Sequence, residues 1–257
     1  MELRNYQKAV IKNLSLYLDC LNTDNNLIAA WNSYWGKQDI NVGFGGVPAY
    51  NNLIDGVPHI CMKVPTGGGK TFMACASVKP VFNAMPLHKP HVVVWLVPSD
   101  SILTQTIETL SNVAHPYRQT LDTDFAGRVG VYTKDMLLNG QNFSPDTVRE
   151  MLTRCVLCYG SRRIDSRKKD VRKVYQENGN LLRFAEYFKD DDVLLADTPD
   201  TALIQVLRHL SPVTIVDESH NAGSDLSVEM LNNLNPSLVL DLTATPRKNS
   251  NIIAYVD

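Results

Sequence analysis

The stretch Val64-Pro65-Thr66-Gly67-Gly68-Gly69-Lys70-Thr71 decides how this chain is read. A short apolar run, His59 to Met62, precedes it, and from Phe72 onward the residues suit a helix. Strand, glycine loop and a helix opening on Lys-Thr form a phosphate cradle. Glycines let successive backbone N–H groups face one concavity, where a Cβ would crowd a phosphate oxygen. The helix N-terminus adds unsatisfied N–H groups and the positive end of a dipole. In such a loop Lys70 reaches the β- and γ-phosphates and the Thr71 hydroxyl ligates Mg²⁺. The strict pattern G-x-x-x-x-G-K-[ST] is missed at its first position, where Val64 replaces glycine. The stretch implies a bound nucleoside triphosphate rather than an ordinary glycine-rich turn.

Around this loop, strands and helices alternate. His59–Val64 reads as a strand and Thr71–Met85 as a helix in which Pro80 is expected to place a kink. The continuously apolar His91–Val97 fits a strand covered on both faces. Pro98 ends it, and Ser99 or Asp100 can cap a helix reaching about Val113. Arg128–Tyr132 is a strand, Ser144-Pro145 opens a helix, and Thr153–Tyr159 is the next strand. Residues 160–199 interrupt the rhythm, with two short helices expected around Gly179. It resumes with a helix Thr201–Leu210, a strand Val213–Val216, a helix near Leu226–Leu234 and a last strand Ser237–Leu242. Such alternation builds βαβ units, hence an α/β domain with a mostly parallel sheet and helices on both faces.

Upstream, Leu3 to Leu21 carries apolar residues at the spacing of an amphipathic helix. Residues 22–58 are expected to be irregular, broken by several glycines and prolines. Trp31, Tyr34, Trp35, Phe44 and Tyr50 lie in that region and either stack on a base or, more commonly, anchor a long loop onto the core.

Composition sets bounds on the rest. The 257 residues are 44% apolar and 20% charged, ordinary for a globular protein, and the net charge of −2 gives no global pull toward nucleic acid or membrane. No apolar run approaches the length of a membrane span, and the N-terminus lacks the apolar core of a signal peptide. Five unevenly spread cysteines argue against a disulfide framework, and a cytoplasmic location is expected. Cys155 and Cys158 have metal or redox spacing, but they lie in an apolar run that reads as core.

In a parallel sheet, ligands sit at the carboxyl ends of the strands, so the partner of Lys70 is sought there. Val213-Thr-Ile-Val-Asp217-Glu218-Ser219-His220 delivers two carboxylates at the end of an apolar strand. Asp217 suits Mg²⁺ binding, and Glu218 suits orientation of an attacking water. Pro65–Thr71 resembles motif I of superfamily-2 helicases and translocases, and Asp217-Glu218-Ser219-His220 resembles their DEAD/DEAH-type motif II. Thr243-Ala244-Thr245-Pro246 is similar to motif III, which couples nucleotide state to nucleic-acid grip. Leu3-Arg4-Asn5-Tyr6-Gln7 resembles the adenine-reading segment, and Val97-Pro98-Ser99-Asp100 resembles motif Ia. The fold implied is a RecA-like P-loop NTPase with ATP and Mg²⁺ as ligands. The implied catalytic residues are Lys70, Asp217, Glu218 and His220. Nucleotide contacts fall to Arg4, Gln7, Pro65, Thr66, Gly67, Gly68, Gly69, Lys70 and Thr71, with Gln7 on the adenine edge and Arg4 stacked on its face. Thr71 and Asp217 are the implied metal residues, and Thr243 and Thr245 the coupling pair.

Within that superfamily the chain resembles the Res (ATPase/translocase) subunit of type III restriction enzymes, through Trp95–Asp100, Arg172–Asn178 and Ile215–Asn221. The resemblance implies nucleic acid as partner, with duplex DNA favoured, and a modification or specificity subunit. Residues 1–58 are read as a helix with an adenine-reading segment and an aromatic loop, 59–247 as the first RecA-like lobe, and 248–257 as the start of a linker. A second lobe with the arginine finger is expected beyond this point in the family. Its absence alone costs ~10³–10⁵ in rate, so little hydrolysis is expected from this lobe by itself. Arg162–Lys173 holds seven basic residues against Asp165 and Asp170 and is expected to meet phosphates, with Ser99, Ser161, Arg162 and Arg163 as candidates; a solvated surface loop is the alternative. A kinase- or GTPase-like switch leaves motifs II and III without a role. A non-catalytic nucleotide-binding module leaves the intact Lys70, Asp217 and Glu218 unexplained.

Overall fold

The structure is a computed structural model that describes residues 2–86, 90–158, 173–187, 193–218 and 225–256. Seven strands form one sheet: β1 (His59–Lys63), β2 (Val92–Val97), β3 (Val129–Tyr132), β4 (Leu152–Cys158), β5 (Val213–Asp217), β6 (Leu238–Thr243) and β7 (Ile252–Tyr255). Their spatial order is β3-β4-β2-β5-β6-β1-β7, and every neighbouring pair is parallel. All carboxyl ends therefore share one rim, and each connection must cross a face of the sheet to begin the next strand.

The strand β2 shows why the sheet is covered twice. Val93, Trp95 and Val97 join one core with Leu14, Met73, Val78 and Leu110. Val92, Val94 and Leu96 join a second core with Phe184, Leu203, Val206 and Leu234. Successive side chains alternate between faces, so an unbroken apolar run is what two buried faces require. The first core is roofed by α1 (Asn5–Asp24), α2 (Leu27–Gly36), α3 (Lys70–Asn83), α4 (Asp100–Ser111) and α5 (Pro116–Asp124). The short helices α6 (Lys134–Leu138) and α7 (Pro145–Glu150) contribute Leu137 and Val148 to the second, beside the helices Leu182–Tyr187, Leu203–His209 and Asp225–Leu234. This is the α/β architecture expected, a parallel sheet with helices on both faces.

Local signals account for most helix starts. Ser99 accepts from the Ile102 N–H at 3.4 Å, and the Ser144 hydroxyl accepts from the Thr147 N–H at 3.3 Å with Pro145 at the first helical position. The helix α5 was not anticipated, although His115 caps it by accepting from the Tyr117 N–H at 3.2 Å and Pro116 follows.

Two expectations need correction, the irregularity of residues 22–58 and the identity of the last strand. Residues 22–58 are not irregular throughout, because Asn26 accepts from the Ile28 and Ala29 N–H groups and starts α2. Trp31, Tyr34, Trp35 and Tyr50 are buried and pack edge-on against one another and Tyr17, so these four anchor the region onto the core, the commoner of the two readings, and are not free to stack on a base. Ser237–Leu242 is not the last strand: Ile252–Tyr255 pairs with β1, so residues 248–257 contribute to the sheet rather than to a linker alone. Cys155 is fully buried with its thiol pushed up to about 12 by burial, and among the described residues no group of His, Cys, Asp and Glu is placed to hold a metal by three or more ligands. No helix of the described residues is long and apolar enough to cross a membrane.

Candidate nucleotide site

Register brings the two halves of the site together. Lys63 of β1 lies opposite Thr243 of β6, and Asp217 of β5 lies opposite Leu242. The ends of β1 and β5 are thus level and separated by one strand, about 10 Å apart at the usual interstrand spacing. The ladder continues one residue past each end. Val64 N–H donates to Thr243 C=O at 2.9 Å, and Glu218 N–H donates to Leu242 C=O at 2.9 Å. The strand β6 therefore ties the first residue of the glycine loop and the second carboxylate to one backbone.

Across that gap Lys70 Nζ lies 2.8 Å from Glu218 Oε1, with the two side chains 10% and 21% exposed. Glu218 holds φ at +52°, a left-handed conformation costly for a residue with a Cβ. The turn directs its carboxylate back over the rim. Asp217 is buried, and its carboxyl is pushed up to about 6 by burial and then by the neighbouring Glu218 charge; Lys70 opposes that rise.

The loop is shaped by what lies under and behind it. Val64 is fully buried, and a Cβ on Gly68 would meet its Cγ1 at 2.8 Å. The valine that breaks the strict pattern thus fills the floor of the loop. Gly69 sits at φ +77°, and its missing Cβ would lie 2.7 Å from Gln7 Nε2. Both tolerances need glycine. Gly69 hands the chain to α3, whose first turn holds Lys70 and Thr71. Thr66 and Gly67 face solvent.

Gln7 is buried and engaged. Its Oε1 accepts from the Arg4 N–H at 2.9 Å and its Nε2 donates to the Gly68 carbonyl at 3.2 Å. The Tyr6 hydroxyl donates to the same carbonyl at 3.0 Å. Tyr6 is thus a site residue that pattern reading missed, since its partner lies 62 residues away. Arg4 is exposed at the start of α1. Thr243 is buried, and its hydroxyl accepts from the Thr245 N–H at 3.2 Å. Ser99 follows β2 on the same rim and caps α4. His220, Ser161, Arg162 and Arg163 lie outside the described residues.

The arrangement can hold a polyphosphate and a hard cation. Gly67 leaves open space where a side chain would stand, and the α3 N-terminus and Lys70 supply donors and positive charge. Two adjacent carboxylates against one lysine leave excess negative charge in a nearly dry place, a charge that an oxygen-loving cation such as Mg²⁺ would offset.

The profile of the family described as Type III restriction enzyme, res subunit, matches residues 1–248. The chain belongs to that family. None of the curated proteins matches it. Among solved structures, the UvsW helicase from bacteriophage T4 is similar at 11% identity and a TM-score of 0.37, over 86% of this chain. The present chain covers 61% of that chain's length. As a Res-family member with this sheet and loop, the chain is a helicase-type ATPase module.

Proposed function

We propose that the chain is the ATP-binding first motor lobe of a helicase or translocase acting on nucleic acid, the ATPase part of a type III restriction endonuclease-like protein. The observation that carries this reading is the 2.8 Å approach of Lys70 to Glu218 across β6. In the proposed cycle Lys70 exchanges Glu218 for the β- and γ-phosphates of ATP. Glu218, released from the lysine, orients and polarises the attacking water. Thr71 and Asp217 would hold Mg²⁺, which neutralises charge developing on the phosphates. Pro65, Thr66 and the three glycines wrap the phosphates with backbone N–H groups. Gln7 and Arg4 are assigned to the adenine, and the Gln7 bond to Gly68 makes base and phosphate recognition share one side chain. His220 is assigned alongside motif II.

Thr243 and Thr245 are the proposed coupling pair, supported by the place of Thr243 at the end of the strand that ties both halves of the site and by the Thr245 N–H that donates to its hydroxyl. Residues 59–247 are proposed as the lobe proper, with the N-terminal helices as its support. Ser99, Ser161, Arg162 and Arg163 are proposed to meet a duplex DNA backbone, and a modification or specificity subunit to supply the target sequence. The test is binding of a fluorescent ATP analogue with Mg²⁺: the chain should bind it, and Lys70→Ala should weaken binding at least tenfold. Equal affinity of the two proteins refutes the reading.

A further inference from the structure

The region that sequence patterns left as irregular carries a feature the nucleotide site does not use. Phe44 is the most exposed large apolar side chain among the described residues, with its ring wholly in solvent. A lone exposed aromatic on a loose loop would mean little. This one stands on a closed turn. Gly43 N–H donates to Val47 C=O at 2.8 Å, and Val47 N–H donates to Asn41 C=O at 2.9 Å. A Cβ on Gly46 would lie 1.8 Å from the Asn41 oxygen, so only glycine closes the turn this tightly. Val42 and Val47 pack onto the core, and the Trp31 indole N–H donates to Pro48 C=O at 3.0 Å. The ring is displayed by a braced stalk.

Three residues beyond Phe44, Val47 enters the wall of a cleft of about 100 Å³ between this segment and the chain leading into β7. Pro48, Tyr255, Arg247 and Lys248 also line it, and none of its lining residues is acidic. Tyr255 is half exposed, with Lys63 Nζ 5.9 Å from its ring centroid. On a chain of net charge −2, the turn that displays Phe44 thus supplies one wall of this cleft, and the exposed Lys248 and the Tyr255 ring beside Lys63 supply the other. Rings that accept any base face, set among cations that follow a backbone, are the chemistry of single-strand binding. A protein partner would also use the rings, but the one-sided charge favours a polyanion.

We infer that this edge is a stacking site for unpaired bases of a nucleic-acid strand, with Phe44 and Tyr255 as ring surfaces and the exposed Lys248 facing phosphates. The inference rests on the proposed reading that the chain acts on nucleic acid. It places the contact beside β7, apart from Ser99 at the end of β2. The test is fluorescence anisotropy of the full 257-residue chain with a labelled oligothymidylate at low salt. Phe44→Ala and Tyr255→Ala should each weaken binding by about tenfold, and Tyr255→Phe should restore it, because stacking needs the ring and not the hydroxyl. Lys248→Ala should lower the salt slope by about 0.7. Binding of the ATP analogue should be unchanged in all four variants, which shows that they fold. If the unaltered chain binds the strand and both alanine variants bind it equally well, the inference is overturned and the nucleic-acid reading stands. If the unaltered chain binds no strand, both fall.

Discussion

Replacing Asp217 by asparagine should make the nucleotide-free protein more stable while removing its metal-dependent ligand binding. Asp217 ends β5 at 8% exposure, and burial, reinforced by the Glu218 charge, raises its carboxyl from the ordinary 3.8 to about 6. That rise corresponds to about 3 kcal/mol of strain on the ionised form in the fold. The sign follows from proton counting. Between pH 4 and 6 the folded chain holds this proton more than the unfolded chain does, so the group's contribution to stability falls as pH rises through that window. Above it the cost is present in full; below 3.8 it is absent. Asparagine keeps the shape without the charge, so Asp217→Asn should gain about 1–3 kcal/mol at pH 7.5 and close to nothing near pH 4. For a chain of this size such a gain raises Tm by several degrees, at roughly 2–4 °C per kcal/mol. Urea unfolding followed by circular dichroism at the two pH values measures it. An asparagine variant less stable than the parent at pH 7.5 would show that the carboxylate is held by compensating bonds, and that the site stores no electrostatic strain for a cation to relieve.

Two further outcomes follow from the same geometry. Tyr6→Phe removes one of two donors to the Gly68 carbonyl at a cost of about 1 kcal/mol. Nucleotide affinity should fall about fivefold, with oligothymidylate binding unchanged; an unaltered affinity means that Gln7 alone orients the loop. Arg154 is fully buried, donates to Cys75 Sγ at 3.6 Å and lies 4.5 Å from the Trp95 ring centroid, while its Nε and Nη2 have no partner among the described residues. Burial pushes its pKa down. Arg154→Met should therefore raise stability by about 1 kcal/mol or more in thermal unfolding, and a loss of similar size would reveal a buried water or anion satisfying the guanidinium.

The parallel sheet was legible because β2 is an unbroken apolar run and β5 and β6 are mostly apolar between helices, and once the strands are parallel Lys70 and Asp217 must share a rim. Their pairing across β6 was not legible. It depends on register, which the sequence carries only through two faces that are both apolar. The helix α2 is masked in the sequence by the glycines and prolines that follow it, although Asn26 followed by apolar residues 27, 30, 31, 34 and 35 is a capped amphipathic pattern. The strand β7 is four residues between polar segments, too short for alternation to show. Tyr6 and the buried role of Val64 depend on partners brought close only by folding. The expected strict glycine at position 64 gives way because the loop needs a floor more than it needs freedom there.

Mn²⁺ in place of Mg²⁺ offers the most direct test of whether Lys70 and the Asp217–Glu218 pair converge on one metal-bound polyphosphate. Pulsed electron paramagnetic resonance of the chain with Mn²⁺ and ATP should show bound metal with phosphorus couplings, lost in Asp217→Asn and weakened in Lys70→Ala. Bound Mn²⁺ with no phosphorus coupling, or a spectrum indifferent to Asp217→Asn, would contradict the account.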